Sequence, residues 1–261
     1  MSDPRSTPDA SLIAENTSAQ IGAAQVDLCR TPRGKRDRQL LLGDRVTVLG
    51  RADDWAYVRS EKDAYIGHLP ASALAPVTAP THHVTARSSH VYSAPDIKSR
   101  ETMIVSFGSH ITALSESPTF VETEFGHIPR QHLHRSGTLA TDPAAVASLF
   151  LGTPYLWGGN TGTGIDCSGL IQAALLACAI PCPGDSDQQL ATLGQKVARG
   201  GAYQRNDLIF WKGHVALVVD PHTMIHANAG HMAVTLEAID KALARIEAQG
   251  DGTPLAHKRL T

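Results

Sequence analysis

The sequence predicts an α+β chain in which two small all-β modules precede a domain of buried helices and antiparallel strands. Three observations predict it. Short alternating strands separated by turn residues run through the first half and carry one plan twice. An apolar helical run follows the glycine-rich loop at 158–164. Beyond Asn206, apolar runs separated by Lys212-Gly213 and Asp220-Pro221 read as consecutive strands.

Residues 1–20 are polar and rich in Ser, Thr, Asp and Pro, and read as a loose N-terminal arm. The first β module covers 21–78. Its strands lie around Val46 to Leu49, Trp55 to Arg59 and Tyr65 to Leu69, divided by Gly, Asp-Asp and Lys-Asp turns. The second covers 81–136. Val91 to Pro95 echoes Val26 to Pro32, Ile104 to Leu114 echoes Leu41 to Leu49, and Phe120 to Leu133 echoes Trp55 to Leu74. This is an internal duplication of a unit of about sixty residues.

The third domain covers 140–261. Asp142-Pro143 is a helix start, with a cap residue followed by proline in the first turn, and the helix runs from Ala144 to Leu151. The loop from Tyr155 to Gly164 leads to Asp166-Cys167-Ser168-Gly169 and an apolar run through Ala177. Cys167 therefore sits at the tip of a buried helix, where free N–H groups and the positive dipole end favour a thiolate. Such sites bring a thiol pKa from about 8.5 to roughly 3.5–7.5. Cys178, in the apolar run, and Cys182, in a Pro-rich turn, read as small buried hydrophobes.

A thiol nucleophile needs an imidazole to take its proton and a second polar group to orient that imidazole. His214 opens a strand after a glycine turn, and His226 lies in the next strand, so a tight hairpin brings both to one face. Other readings are a strand-end histidine for His214, a satisfied core histidine for His226, and a zinc site built from Cys167 and the pair. Zinc ranks below catalysis because Cys167 stands apart from any paired cysteine. Neither metal nor cofactor is expected. His82, His83, His127, His132, His134, His222 and His231 read as solvated.

A net charge of −2 argues against nucleic acid or an anionic membrane as the main partner. The N-terminus lacks a basic start followed by an apolar core, and no stretch reaches the ~18 apolar residues of a membrane span. The four cysteines show no disulfide-framework spacing. A cytoplasmic monomer is expected.

Several motifs, in order, carry a family resemblance: Tyr155-Leu-Trp157-Gly-Gly, Asp166-Cys167-Ser168-Gly169, Asp185-Ser186 with Gln189, Asp207 to Trp211, Gly213-His214-Val-Ala-Leu and Met224-Ile-His226-Ala. Together they resemble the NlpC-type cell-wall cysteine peptidases, and the β modules resemble tandem bacterial SH3-like domains. The resemblance implies a papain-like catalytic domain after two SH3-like barrels, in the manner of γ-D-glutamyl-L-diamino-acid endopeptidases. It implies Cys167 as nucleophile, His214 as base, His226 as its orienting partner and Tyr155 at the oxyanion. It implies Trp157, Asp166, Ser168, Asp185 and Ser186 along the substrate, with Tyr65 and Asp27 at the free amine of an N-terminal L-Ala. Gly184 departs from the pattern, standing where relatives often carry a basic residue before Asp-Ser. The implied partner is a murein stem peptide, L-Ala-γ-D-Glu-diamino acid, cleaved before diaminopimelate or lysine during wall-peptide recycling. An amidase or acyltransferase on the same core, or a non-catalytic murein-peptide binder, are the alternatives.

Overall fold

The computed structural model describes residues 3–260; Met1 and Ser2 of the expected arm and Thr261 of the third domain lie outside the described residues. The chain divides into two units, 1–138 with 160–163, and 139–159 with 164–261.

In the first unit, β1 (Thr17–Ile21), β2 (Gln25–Cys29), β3 (Arg36–Leu41), β4 (Arg45–Ala52), β5 (Trp55–Ser60), β6 (Ile66–Pro70) and β7 (Leu74–Ala75) form one sheet. Its order is β3-β2-β6-β5-β4-β1-β7. Alternation along β4 and β5 turns Val46, Val48, Ala56 and Val58 into a core with Ile21, Leu28, Leu40 and Leu69. The expected loose arm is a correction, because its described residues pair with this module. Thr17 to Gln20 align with β4, the Ala14 and Glu15 amides donate to the Leu49 carbonyl, and the Asp9 amide donates to the Tyr57 hydroxyl. Polar composition marked residues 1–20 as exposed, but β1 lies between β4 and β7, and backbone pairing needs no apolar side chains.

Eight further strands follow: β8 (His82–Val84), β9 (Ser88–Tyr92), β10 (Glu101–Ser106), β11 (His110–Ile111), β12 (Ser115–Glu116), β13 (Phe120–Thr123), β14 (Gly126–Pro129) and β15 (Leu133–Arg135). They make a five-stranded sheet, β10-β9-β14-β13-β12, and a three-stranded one, β11-β8-β15. Val84, Val91, Val105, Ile111, Val121, Ile128 and Leu133 share one core. His82, expected to be solvated, is buried, with its Nδ1 at 2.9 Å from the Thr81 hydroxyl.

The second unit begins with α1 (Pro143–Ser148), capped as expected by the Asp142 carboxylate on the Ala144 amide. Two short strands, β16 (Asn160–Thr161) and β17 (Gly164–Ile165), lie in the loop before α2 (Cys167–Ala177), and α3 (Ser186–Thr192) follows. The sheet comprises β18 (Gln195–Lys196), β19 (Leu208–Trp211), β20 (His214–Asp220), β21 (Thr223–Asn228), β22 (Ala233–Ala238) and β23 (Ala256–Arg259), in the order β18-β23-β19-β20-β21-β22. Helix α4 (Ile239–Ala248) lays Ile239, Ala242 and Ile246 on Ile209, Trp211, Ala216, Val218 and Met224. The alternate row, Leu208, Phe210, Val215, Leu217, Ile225 and Ala227, is buried as well. A sheet covered on both faces reads as continuous apolar runs. Among the described residues, no helix is long and apolar enough to cross a membrane.

Candidate active site

The site grows from a helix start. Asp166 is the N-cap of α2, and its carboxylate accepts from the Gly169 amide at 2.6 Å, the Ser168 hydroxyl at 3.1 Å and the Gly158 amide at 2.9 Å. One side chain thus caps the helix and ties down the glycine loop before it. The tie is tight: a Cβ on Gly159 would meet the Gly164 carbonyl oxygen at 2.6 Å. The capped turn leaves Cys167 at the first helical position, 6 % exposed, with its thiol 3.9 Å from the Gly213 carbonyl. Gln189 of α3 steadies the same turn, donating to the Ser168 and Pro183 carbonyls at 3.0 and 2.9 Å.

The expected thiolate is not the resting state. Burial, and then the Asp166 carboxylate, push the Cys167 thiol up to about 12, although the amides of Val215, Ser168 and Cys167 itself oppose the shift. Desolvation outweighs the helix terminus here. The same force drives His214 down to about 3, so thiol and imidazole are both neutral at rest.

The hairpin geometry holds. Strands β19 and β20 join through Lys212-Gly213, with Trp211 opposite His214 and Gly213 at φ +71°, a conformation glycine adopts freely. The β20–β21 register makes His214 and His226 diagonal neighbours on one face. His214 Nε2 lies 2.9 Å from His226 Nδ1, and the Trp211 ring centroid is 5.6 Å from that of His214. His226 is completely buried, which brings its value down to about 4.

Two members of this chain of groups escaped sequence reasoning. His226 Nε2 lies 3.1 Å from Glu237 Oε2, and Arg245 of α4 grips Glu237 with Nε at 2.9 Å and Nη2 at 2.7 Å. The Arg245 hydrogen bond holds the Glu237 carboxyl below its ordinary value. Glu237 is a strand residue two positions beyond the cross-strand partner of His226, the same diagonal step that relates His226 to His214. The alternation of β22 was the signal that could have found it.

Tyr155, half-buried, donates its amide to the Met232 carbonyl at 2.9 Å. Burial, then Cys167 and Asp166, raise its hydroxyl's pKa. Trp157 is 69 % exposed in the same loop, Ser168 is buried against Asp166, and Asp185 and Ser186 begin α3. Tyr65 and Asp27 lie in the first unit. Tyr65 is buried, with the Arg38 guanidinium 6.0 Å from its ring centroid, and Asp27 is held by Arg36 at 2.8 Å and Gln39 at 3.0 Å.

Known proteins match both units. Residues 152–246 match the NlpC/P60 family. The second unit carries an NlpC/P60 domain. Residues 28–74 of the first unit match the bacterial dipeptidyl-peptidase SH3 domain. The chain is 29 % identical over 241 residues to a γ-D-glutamyl-L-lysine dipeptidyl-peptidase of Bacillus cereus, spanning 79 % of this chain and 71 % of that one. It is 25 % identical over 229 residues to dipeptidyl-peptidase 6 of Lysinibacillus sphaericus, spanning 78 % and 84 %. A solved NlpC/P60 protein of Bacillus cereus shares the fold, with a TM-score of 0.76 at 23 % identity over 94 % of this chain and 99 % of that one. The protein is a hydrolase acting on peptide bonds.

Proposed function

We propose that this hydrolase is a cysteine peptidase that cuts the γ-D-glutamyl–diamino acid bond of murein stem peptides bearing a free N-terminal L-Ala, in cell-wall peptide recycling. The observation that carries the chemistry is the buried thiol at the tip of α2, 3.9 Å from the carbonyl of Gly213, the residue just before His214, whose imidazole lies 2.9 Å from that of His226. The relatives named for γ-D-glutamyl-L-lysine peptides support the substrate class.

In this reading His214 takes the thiol proton as Cys167 Sγ attacks the γ-glutamyl carbonyl, and His226 orients His214. Tyr155 and the Cys167 amide stabilise the oxyanion. Collapse of the tetrahedral species forms a thioester and releases the diamino acid's amine, protonated by His214. Water, deprotonated by His214, then hydrolyses the thioester and frees the dipeptide. Trp157, Ser168, Asp185 and Ser186 line the peptide, while Asp166 acts through the loop it ties. Tyr65 takes the free ammonium; Asp27 serves less well, because Arg36 and Gln39 already occupy its carboxylate. The catalytic domain is papain-like and both β modules are SH3-like, with boundaries at 21–78, 81–136 and 140–261. The four free cysteines suit a reducing cytoplasm and the chain acts as a monomer.

The test is incubation with L-Ala-γ-D-Glu-diaminopimelate and -lysine peptides, free and N-acetylated, followed by mass analysis. Wild type releases L-Ala-γ-D-Glu from the free peptides only, because a blocked amine leaves polar groups of the site unpaired. Cys167→Ala abolishes turnover and keeps its unfolding temperature. Turnover by Cys167→Ala refutes the nucleophile, and equal cleavage of acetylated peptides refutes the amine requirement.

A further inference from the structure

We propose that Glu237, clamped by Arg245, is a positioning residue that fixes the proton on one nitrogen of each catalytic imidazole. The inference rests on the catalytic reading of Cys167 and His214 and adds two residues to it.

Proton positions follow from who can donate. Glu237 takes two donations from Arg245, at 2.9 and 2.7 Å, and an ionised carboxylate only accepts. His226 Nε2, 3.1 Å from Glu237 Oε2, must therefore carry a hydrogen. A neutral His226 then has a bare Nδ1. His214 Nε2, 2.9 Å from that Nδ1, must donate to it. The only nitrogen of His214 left with a free lone pair is Nδ1, the one that can receive the thiol proton. Turn Glu237 into a donor and the order reverses along the whole chain of groups.

The second effect is electrostatic. Once His214 holds the thiol proton, the positive pair His214–His226 faces a half-buried carboxylate. Glu237 raises the proton affinity of both histidines against the lowering imposed by burial. Arg245 answers from the other side, since it lowers both, so its chief gain is geometric: a two-point grip on a carboxylate that stands on an edge strand. Space there is limited, as a Cβ on Gly230 would stand 3.0 Å from Arg245 Nη1.

Three measurements on the full chain test this. In Glu237→Gln, kcat falls about tenfold at unchanged KM, the scale of one lost charge-assisted hydrogen bond, because Glu237 acts through His226. Iodoacetamide labelling of Cys167 at neutral pH slows by a similar factor, and the imidazole titration followed by NMR moves to lower pH. Labelling needs no peptide, so a wrong substrate assignment leaves this readout standing. Nitrogen-15 spectra of the wild type show the His226 proton on Nε2 and the His214 proton on Nε2. If Glu237→Gln does not fold, Arg245→Met, which loosens the same grip, slows labelling by a smaller factor, while the imidazole titration moves to higher pH because the guanidinium charge that lowers both histidines is gone. A wild-type His226 protonated on Nδ1 overturns the inference, as does a folded Glu237→Gln with wild-type labelling rate and titration.

Discussion

Removing the buried imidazole of His226 should flatten the loss of stability on acidification. A histidine whose folded value is depressed contributes stability that is fully present above its unfolded value and is lost as pH falls toward the folded one. For His226 the window runs from 6.5 down to about 4. Within it the unfolded chain binds a proton that the folded chain refuses, at about 1.4 kcal/mol per pH unit. Between pH 7 and pH 5 the loss comes to about 2 kcal/mol from this residue. His214 shares the direction but is less fully enclosed than His226, so the magnitude is worked for the fully buried partner alone. The perturbation is His226→Asn, and the assay is urea unfolding at pH 7 and pH 5. Fluorescence of Trp211, buried in the same unit, reports it. Histidines away from the pair titrate equally in both proteins and cancel in the difference, while His214, which His226 pushes down, adds to the difference in the same direction. Wild type should lose about 2 kcal/mol more than the variant over this interval. If the two lose stability in parallel, His226 does not resist protonation in the fold and the neutral resting pair is wrong.

Further predictions concern groups around the same sheet and helix. Asp166→Asn keeps an acceptor for the Gly169 amide but turns a donor toward the Gly158 amide, which costs about 1–3 kcal/mol for a buried unpaired N–H. Because the Asp166 charge helps push the Cys167 thiol up, iodoacetamide labelling at fixed pH should quicken in this variant even as its unfolding temperature falls. Unchanged labelling would show that Asp166 does not reach the sulfur. Asp207 is buried and accepts from Arg259 at 2.8 Å, from His257 at 2.6 Å and from the Gln204 amide at 2.9 Å. Asp207→Ala should cost about 3–5 kcal/mol and raise hydrogen exchange first in β23, the strand carrying both His257 and Arg259. Protection of β23 equal to wild type would refute that assignment.

The helix tip was readable because its signals are local: Asp at the cap, Cys and Ser next, then apolar residues. The His214–His226 pair was readable too, since a glycine turn and two adjacent strands fix a register. Residues 3–20 were misread because strand pairing is made by backbone and leaves little trace in composition. The thiol was misjudged because a helix terminus is visible in the sequence, whereas complete enclosure of the sulfur is not.

By itself the amino-acid order determined where a nucleophile and two imidazoles stand along the chain, and that a capped helix and a tight hairpin hold them. Only the tertiary structure decided that Glu237 and Arg245 complete the row and that thiol and imidazole rest uncharged. The physical reason is range. Caps, turns and alternation act over a few residues, while desolvation and ion pairing depend on everything packed nearby, whatever its place in the chain.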